Sequence, residues 1–299
     1  MTYGIKEIEA NPFLAVKMIN TDLTKGCLKI LLGAGISKEF GLPSWTDLMY
    51  GCIKEYKKLN ENFEAPTYDD FKILDQKKQL KIIDIIEKDD RFLEIVKTSL
   101  YNDVKDVNNI FLNNAPGLLA IAAFCLGTTR GKVNHIFTLN YDDILERYFK
   151  LLGLRVDSGS NYQRPNRWCD IRIDHIHGII PQHDELNSEE KIVFSYNSYQ
   201  NRKIKINEEI SSWIHNQLLG FNALYIGLSG DDELLELLYR INYEAKKGKS
   251  NVNQYYGYWI LTPDAYKDHH SILIDHNICP IPLQPSDIPK FLLECCKQV

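Results

Sequence analysis

Five short apolar runs punctuate the chain: Cys27 to Leu32 (CLKILL), Val133 to Leu139 (VNHIFTL), Ile171 to Ile176, Ala223 to Ile226 (ALYI) and Gly257 to Leu261 (GYWIL). Each has the length of a strand rather than a helix, and the first ends directly on Gly33. Such runs predict buried strands that feed turns. Stretches with helical spacing lie between most of them. Alternation of this kind predicts an α/β protein with a parallel sheet and helices on both faces.

About a hundred residues separate the first run from the second, too many for one crossover. Apolar residues recur there at helical spacing with charges between them, as in Asp84-Ile85-Ile86-Glu87 and Phe92-Leu93 followed by Ile95-Val96 and Leu100. This predicts a helical insertion over about residues 50–115, packed on the sheet within a single domain spanning 1–299. No repeat or low-complexity linker divides the chain.

Composition narrows the function classes. With 44% hydrophobic residues the chain can bury a large core. A formal net charge of -5 argues against broad binding to a nucleic-acid backbone. The segment Met1 to Asn11 carries Lys6, Glu7 and Glu9 and cannot serve as the apolar core of a secretory signal. The longest strongly apolar run, Gly117 to Leu126, is too short to span a bilayer. A soluble, cytoplasmic protein with no membrane partner is expected. The seven cysteines include no Cys-x-x-Cys pair, so neither a disulfide framework nor a zinc ribbon is expected.

Four motifs stand at the ends of the apolar runs. Gly33-Ala34-Gly35-Ile36-Ser37 follows the first and leads through Gly41-Leu42-Pro43-Ser44-Trp45 into a helix-like stretch. Strand, glycine turn and helix start make a phosphate site, because the backbone can approach an anion and helix N–H groups are free. The third glycine of a dehydrogenase fingerprint is absent, since Lys38 stands in its place. Thr138-Leu139-Asn140-Tyr141-Asp142-Asp143 closes the second run, where ligands gather in open α/β sheets; helix capping is the alternative for the two acids. Asp174-His175-Ile176-His177-Gly178 closes the third. Either histidine can act as a base near neutral pH, and alternation puts both on one face, but the turn that Gly178 permits favours His177. Tyr225-Ile226-Gly227-Leu228-Ser229-Gly230-Asp231-Asp232 closes the fourth and enters a helix over Glu233 to Ile241. Gly227 and Ser229 suit a nucleotide, and capping competes for the acids.

In this order, GAGIS with GLPSW, TLNYD, HG and GLSGDD resemble the sirtuin family over roughly residues 27 to 285. They are most similar to the sirtuin-like NADases of bacterial antiphage defence. The resemblance implies a Rossmann-like fold that takes NAD as its substrate and hydrolyses it to nicotinamide and ADP-ribose, with no metal. It implies that Gly33, Ala34, Gly35 and Ser37 cradle the phosphates and adjacent ribose, with Trp45 nearby. Asn140 would orient the nicotinamide ribose and the attacking water, with Asp142 beside it. His177 would act on the ribose hydroxyls, and Gly227, Ser229 and Asp232 would supply the second nucleotide-contacting loop. Protein-deacylating sirtuins carry two Cys-x-x-Cys pairs for zinc, a Gly-x-Pro-Asp-Phe-Arg segment and Gln before the Asn. Here the corresponding residues are Gly41 to Thr46 and Leu139-Asn140, which disfavours deacylation. A non-catalytic NAD or ADP-ribose sensor is the other alternative. Because free NAD cleavage is toxic, control by a partner protein, self-assembly or a nucleotide is expected.

Overall fold

The computed structural model describes residues 3–104, 115–126, 133–160, 168–183, 192–205, 221–229, 243 and 255–297. Among them, seven strands form one sheet: β1 (Leu28–Leu32), β2 (His135–Thr138), β3 (Val156–Gly159), β4 (Ile171–His175), β5 (Asn222–Ile226), β6 (Gly257–Leu261) and β7 (Ile278–Pro282). The order is β3-β4-β2-β1-β5-β6-β7 and every pairing is parallel. Ile30 of β1 sits between Ile136 of β2 and Leu224 of β5. Helices surround the sheet, giving a Rossmann-like α/β architecture.

The five expected strands are buried at every position. Coverage on both faces is what makes an apolar run continuous rather than alternating. The two strands absent from the sequence reading are the two edges of the sheet. β3 reads Val-Asp-Ser-Gly, too polar to register as a buried run. β7 contains Pro280 and Pro282, which lack the N–H a central strand needs on both sides.

Chain direction sets the place for a ligand. From β1 the chain builds β2, β3 and β4 on one side, then returns to lay β5 on the other side of β1. The connections leaving β1 and β5 therefore diverge, and a crevice opens between them at the carboxyl ends of the strands.

Among the described residues, five α-helices lie between β1 and β2: Trp45–Leu59, Tyr68–Lys72, Gln76–Ile86, Phe92–Tyr101 and Pro116–Leu126. Trp45–Leu59 buries Leu48, Met49, Cys52, Ile53 and Tyr56, a stripe at helical spacing, and its N-cap Ser44 accepts from the Asp47 amide at 3.3 Å. Gln76–Ile86 and Phe92–Tyr101 pack against it. Pro116–Leu126 is apolar nearly all round and is wedged against the C-terminal helix Ile288–Cys295. Among the described residues no helix is long and apolar enough to cross a membrane.

The interior also holds charge. Asp174 on β4 pairs with His135 Nε2 at 2.5 Å and with Arg172 Nη2 at 2.7 Å, while Arg172 Nη1 reaches Asp157 on β3 at 3.0 Å. Lys29 on β1 is buried as well; desolvation lowers its ammonium to about 8, and that group lies 4.4 Å above the Phe221 ring.

Candidate functional site

The loops that leave β1 and β5 are joined. Gly33 N donates to Ile226 O at 3.0 Å and Gly35 N to Gly227 O at 2.9 Å. A Cβ on Gly35 would lie 2.8 Å from Gly227 Cα, and one on Gly33 would lie 2.6 Å from Gly227 O. Gly227 itself has φ +72°, a left-handed conformation that favours glycine. All three glycines are thus required by the approach of one loop to the other.

No α-helix starts directly after this turn, contrary to the simplest reading of the motif. Two single 3-10 turns, Ala34–Ile36 and Lys38–Phe40, follow it, and Gly41 at φ +88° ends the second. The α-helix begins at Trp45, after the Pro43-Ser44 corner. The start of that helix lines the crevice.

Beside this joint stands the turn after β2. Asn140 is anchored at three atoms: its amide N donates to Thr138 Oγ1 at 3.1 Å, its Nδ2 donates to Ser37 Oγ at 3.2 Å, and its carbonyl O accepts from His175 Nδ1 at 2.8 Å. Asp142 Oδ1 accepts from the Ile144 amide at 3.2 Å at the start of the helix Ile144–Leu151. Asp142 thus does part of the capping work weighed against function for it. Burial raises the Asp142 carboxyl from 3.8 to about 6, opposed by a hydrogen bond from the Ser37 hydroxyl and reinforced by the negative charge of Glu146. Asp143 has a structural part: its Oδ1 accepts from Tyr101 Oη at 3.2 Å and from the Gln182 amide at 3.3 Å, which ties the insertion to the sheet.

The two histidines separate. β4 ends at His175, and a turn closed by Gly178 N to His175 O at 3.2 Å carries the chain on, with Gly178 at φ +91°. Strand alternation no longer applies beyond that point. His175 is buried and its Nε2 lies 2.6 Å from Glu146 Oε1. Burial alone would lower its pKa, but the Glu146 carboxylate, the Asn140 carbonyl and Asp142 together raise it. His177 instead lines the crevice, with its Nε2 3.4 Å from Tyr199 Oη and its ring stacked on Tyr141 at 6.0 Å. Trp45 also stacks on Tyr141, with ring centroids 6.1 Å apart.

A single cavity of about 1040 Å³ occupies the crevice. Gly33, Ala34, Gly35, Ser37 and Trp45 line it from the β1 side, Asn140, Asp142 and His177 from β2 and β4, and Gly227 and Ser229 from β5. Asp232 and the helix expected over Glu233 to Ile241 fall outside the described residues. The lining also includes residues that the motifs do not mark. Gln76 and Gln79 come from the insertion, and Tyr199 lies in a polar run without a motif. Thr262, Asp268 and His269 follow β6, where Thr262 caps the helix Pro263–Asp275 by accepting from the Ala265 amide at 3.3 Å. That Thr-Pro pair after an apolar strand was a readable signal.

Residues 134–281, from β2 into β7, match the family model described as SIR2-like domain. This stretch is similar to SIR2-like domains. No curated protein matches the chain. The SIR2-like match includes the turn with Asn140, the His177 corner and the Gly227 loop. The GAGIS loop lies before it in sequence, but β1 is the central strand of the same sheet, so the cavity is completed from outside the matched segment. A SIR2-like domain fits an NAD-utilising enzyme. Among the described residues, no cluster of three or more His, Cys, Asp or Glu is arranged to hold a metal ion.

Proposed function

We propose that the protein is an NAD glycohydrolase that cleaves NAD to nicotinamide and ADP-ribose. The observation that carries this reading is that Asn140 and His177 line one cavity together with the joined glycine loops after β1 and β5. The glycine loops and Ser37 would hold the pyrophosphate and ribose, with Ala34, Trp45, Gly227, Ser229 and Asp232 in contact with the dinucleotide. Nicotinamide leaves as a neutral base because breaking the glycosidic bond returns the bonding electron pair to its cationic ring nitrogen. The chemistry therefore demands positioning of the sugar and one water more than a strong base. Asn140 places that water at the anomeric carbon, and His177 engages the ribose hydroxyls and takes the proton the water loses on forming the new C–O bond. Asp142 accepts from Ser37 and thereby keeps Asn140 oriented.

The absence of paired Cys-x-x-Cys motifs supports hydrolysis over deacylation. The reading extends to a cytoplasmic effector of bacterial antiphage defence that depletes NAD, restrained by a regulatory partner protein or by homo-oligomerisation. The decisive experiment incubates purified protein with NAD and measures nicotinamide. Release without any acyl peptide supports hydrolysis; release only with an acyl-lysine peptide supports a deacylase; tight binding without turnover supports a sensor. NAD content of phage-infected cells, compared between the native gene and an Asn140→Ala copy, tests the defence role: equal NAD in both overturns it.

A further inference from the structure

Glu146 and His175 lie behind the cavity wall and do not line it. Both are buried, at 2% and 1% exposure, and Glu146 Oε2 is buried without a hydrogen-bond partner among the described residues. A buried carboxylate held on one side only is costly, so a pair of this kind calls for a reason beyond filling space. The reason lies at the far end of the imidazole. A backbone carbonyl can only accept, so the Nδ1 that meets Asn140 O at 2.8 Å carries hydrogen. The opposite nitrogen, 2.6 Å from Glu146 Oε1, shares one proton with the carboxylate. Whichever of the two holds that proton, Nδ1–H stays directed at Asn140.

Asn140 is thus fixed at its amide N by Thr138, at its Nδ2 by Ser37 and at its carbonyl by His175. Side-chain Oδ1 is the one polar atom of Asn140 without a protein partner among the described residues, and Asn140 lines the cavity. We infer that Glu146 and His175 are positioning residues: they hold the turn that carries Asn140 so that Oδ1 meets the reacting sugar and water, without touching either. This rests on the reading of the cavity as a site of NAD cleavage. The bond made to the substrate is one atom chain away from the pair, so the effect falls on the chemical step and not on NAD affinity.

Two double variants test it. His175→Phe with Glu146→Leu replaces the pair by apolar side chains and removes the donor to Asn140; His175→Asn with Glu146→Leu also lacks the ion pair but restores an N–H near the Nδ1 position. Nicotinamide release is measured at saturating and limiting NAD, with the melting temperature of each protein. The Phe/Leu protein is expected to lose at least about tenfold in kcat with KM within about threefold of native. The Asn/Leu protein is expected to recover most of that loss. Equal kcat in the two doubles, or a loss confined to KM, overturns the inference. Glu146→Gln covers the case in which the doubles do not fold: its amide can donate to Nε2 and leave Nδ1–H on Asn140, so its kcat falls by less than that of His175→Phe, and an equal fall overturns the inference. If the native protein turns over NAD and the doubles are alike, only the positioning role fails. If the native protein releases no nicotinamide, the glycohydrolase reading fails and this inference with it.

Discussion

Gly35 N donates to Gly227 O at 2.9 Å, which joins the loop after the central strand to the loop after its neighbour across the point where the sheet reverses its winding. The atoms a side chain at position 35 would strike are backbone atoms of Gly227, which cannot rotate away. Gly35→Ala is therefore expected to destabilise the protein by about 1–3 kcal/mol in urea unfolding and to weaken NAD binding at the same time. Gly153→Ala serves as the control, since its Cβ meets nothing within 4 Å and only its φ of +81° is strained. It should cost about 1–2 kcal/mol and leave NAD binding as in the native protein.

Asn140→Ala and His177→Ala should each lower nicotinamide release by about a hundredfold or more while melting within a few degrees of the native protein. Full turnover in both variants would remove the proposed chemistry from this cavity.

Asp142 sets a pH dependence whose sign follows from its raised carboxyl. The group stays protonated in the folded state up to about 6, against 3.8 when exposed. Its contribution to stability is full below 3.8, declines as the pH rises to about 6 and is flat above that. Activity runs the other way, because the carboxylate has no hydrogen to give and accepts from Ser37, whereas the protonated acid can donate its O–H to the Ser37 oxygen and compete with Asn140 Nδ2 for it. Nicotinamide release should rise with an apparent pKa near 6. Melting temperature and rate measured across pH 4–8 for native protein and Asp142→Asn check both: the variant should lack the stability decline and the activity step.

Asp174→Ala is expected to cost about 3–5 kcal/mol in denaturant unfolding, since it leaves Arg172 and His135 buried without the carboxylate that joins them. Asp174, Arg172 and His135 do not line the cavity, so any protein that still folds should bind NAD as the native protein does.

Local sequence determined the central architecture. A strand covered on both faces is mostly apolar, and β1, β2, β5 and β6 therefore showed themselves as near-continuous runs, while β4 was legible through Ile171, Ile173 and the following Ile176 although Arg172, Asp174 and His175 between them are polar. Their carboxyl ends carry GAGIS, TLNYD, HG and GLSGDD, so the side of the sheet that holds the cavity was also legible. The edge strands were not, because a strand paired on one side tolerates the polar residues of β3 and the prolines of β7.

Other features arise only when distant segments meet. That the glycines serve the contact between two loops depends on Gly35 facing Gly227 across 192 positions of chain, which no local pattern encodes. The division of labour between His175 and His177 depends on β4 ending at His175, after which alternation gives no guidance. Tyr199, Gln79 and Glu146 carry no motif and gain their places from what packs beside them. Periodicity reports what a residue does for its own strand or helix; whether it meets a cavity, another loop or a buried partner is settled by contacts between segments that the chain order keeps apart.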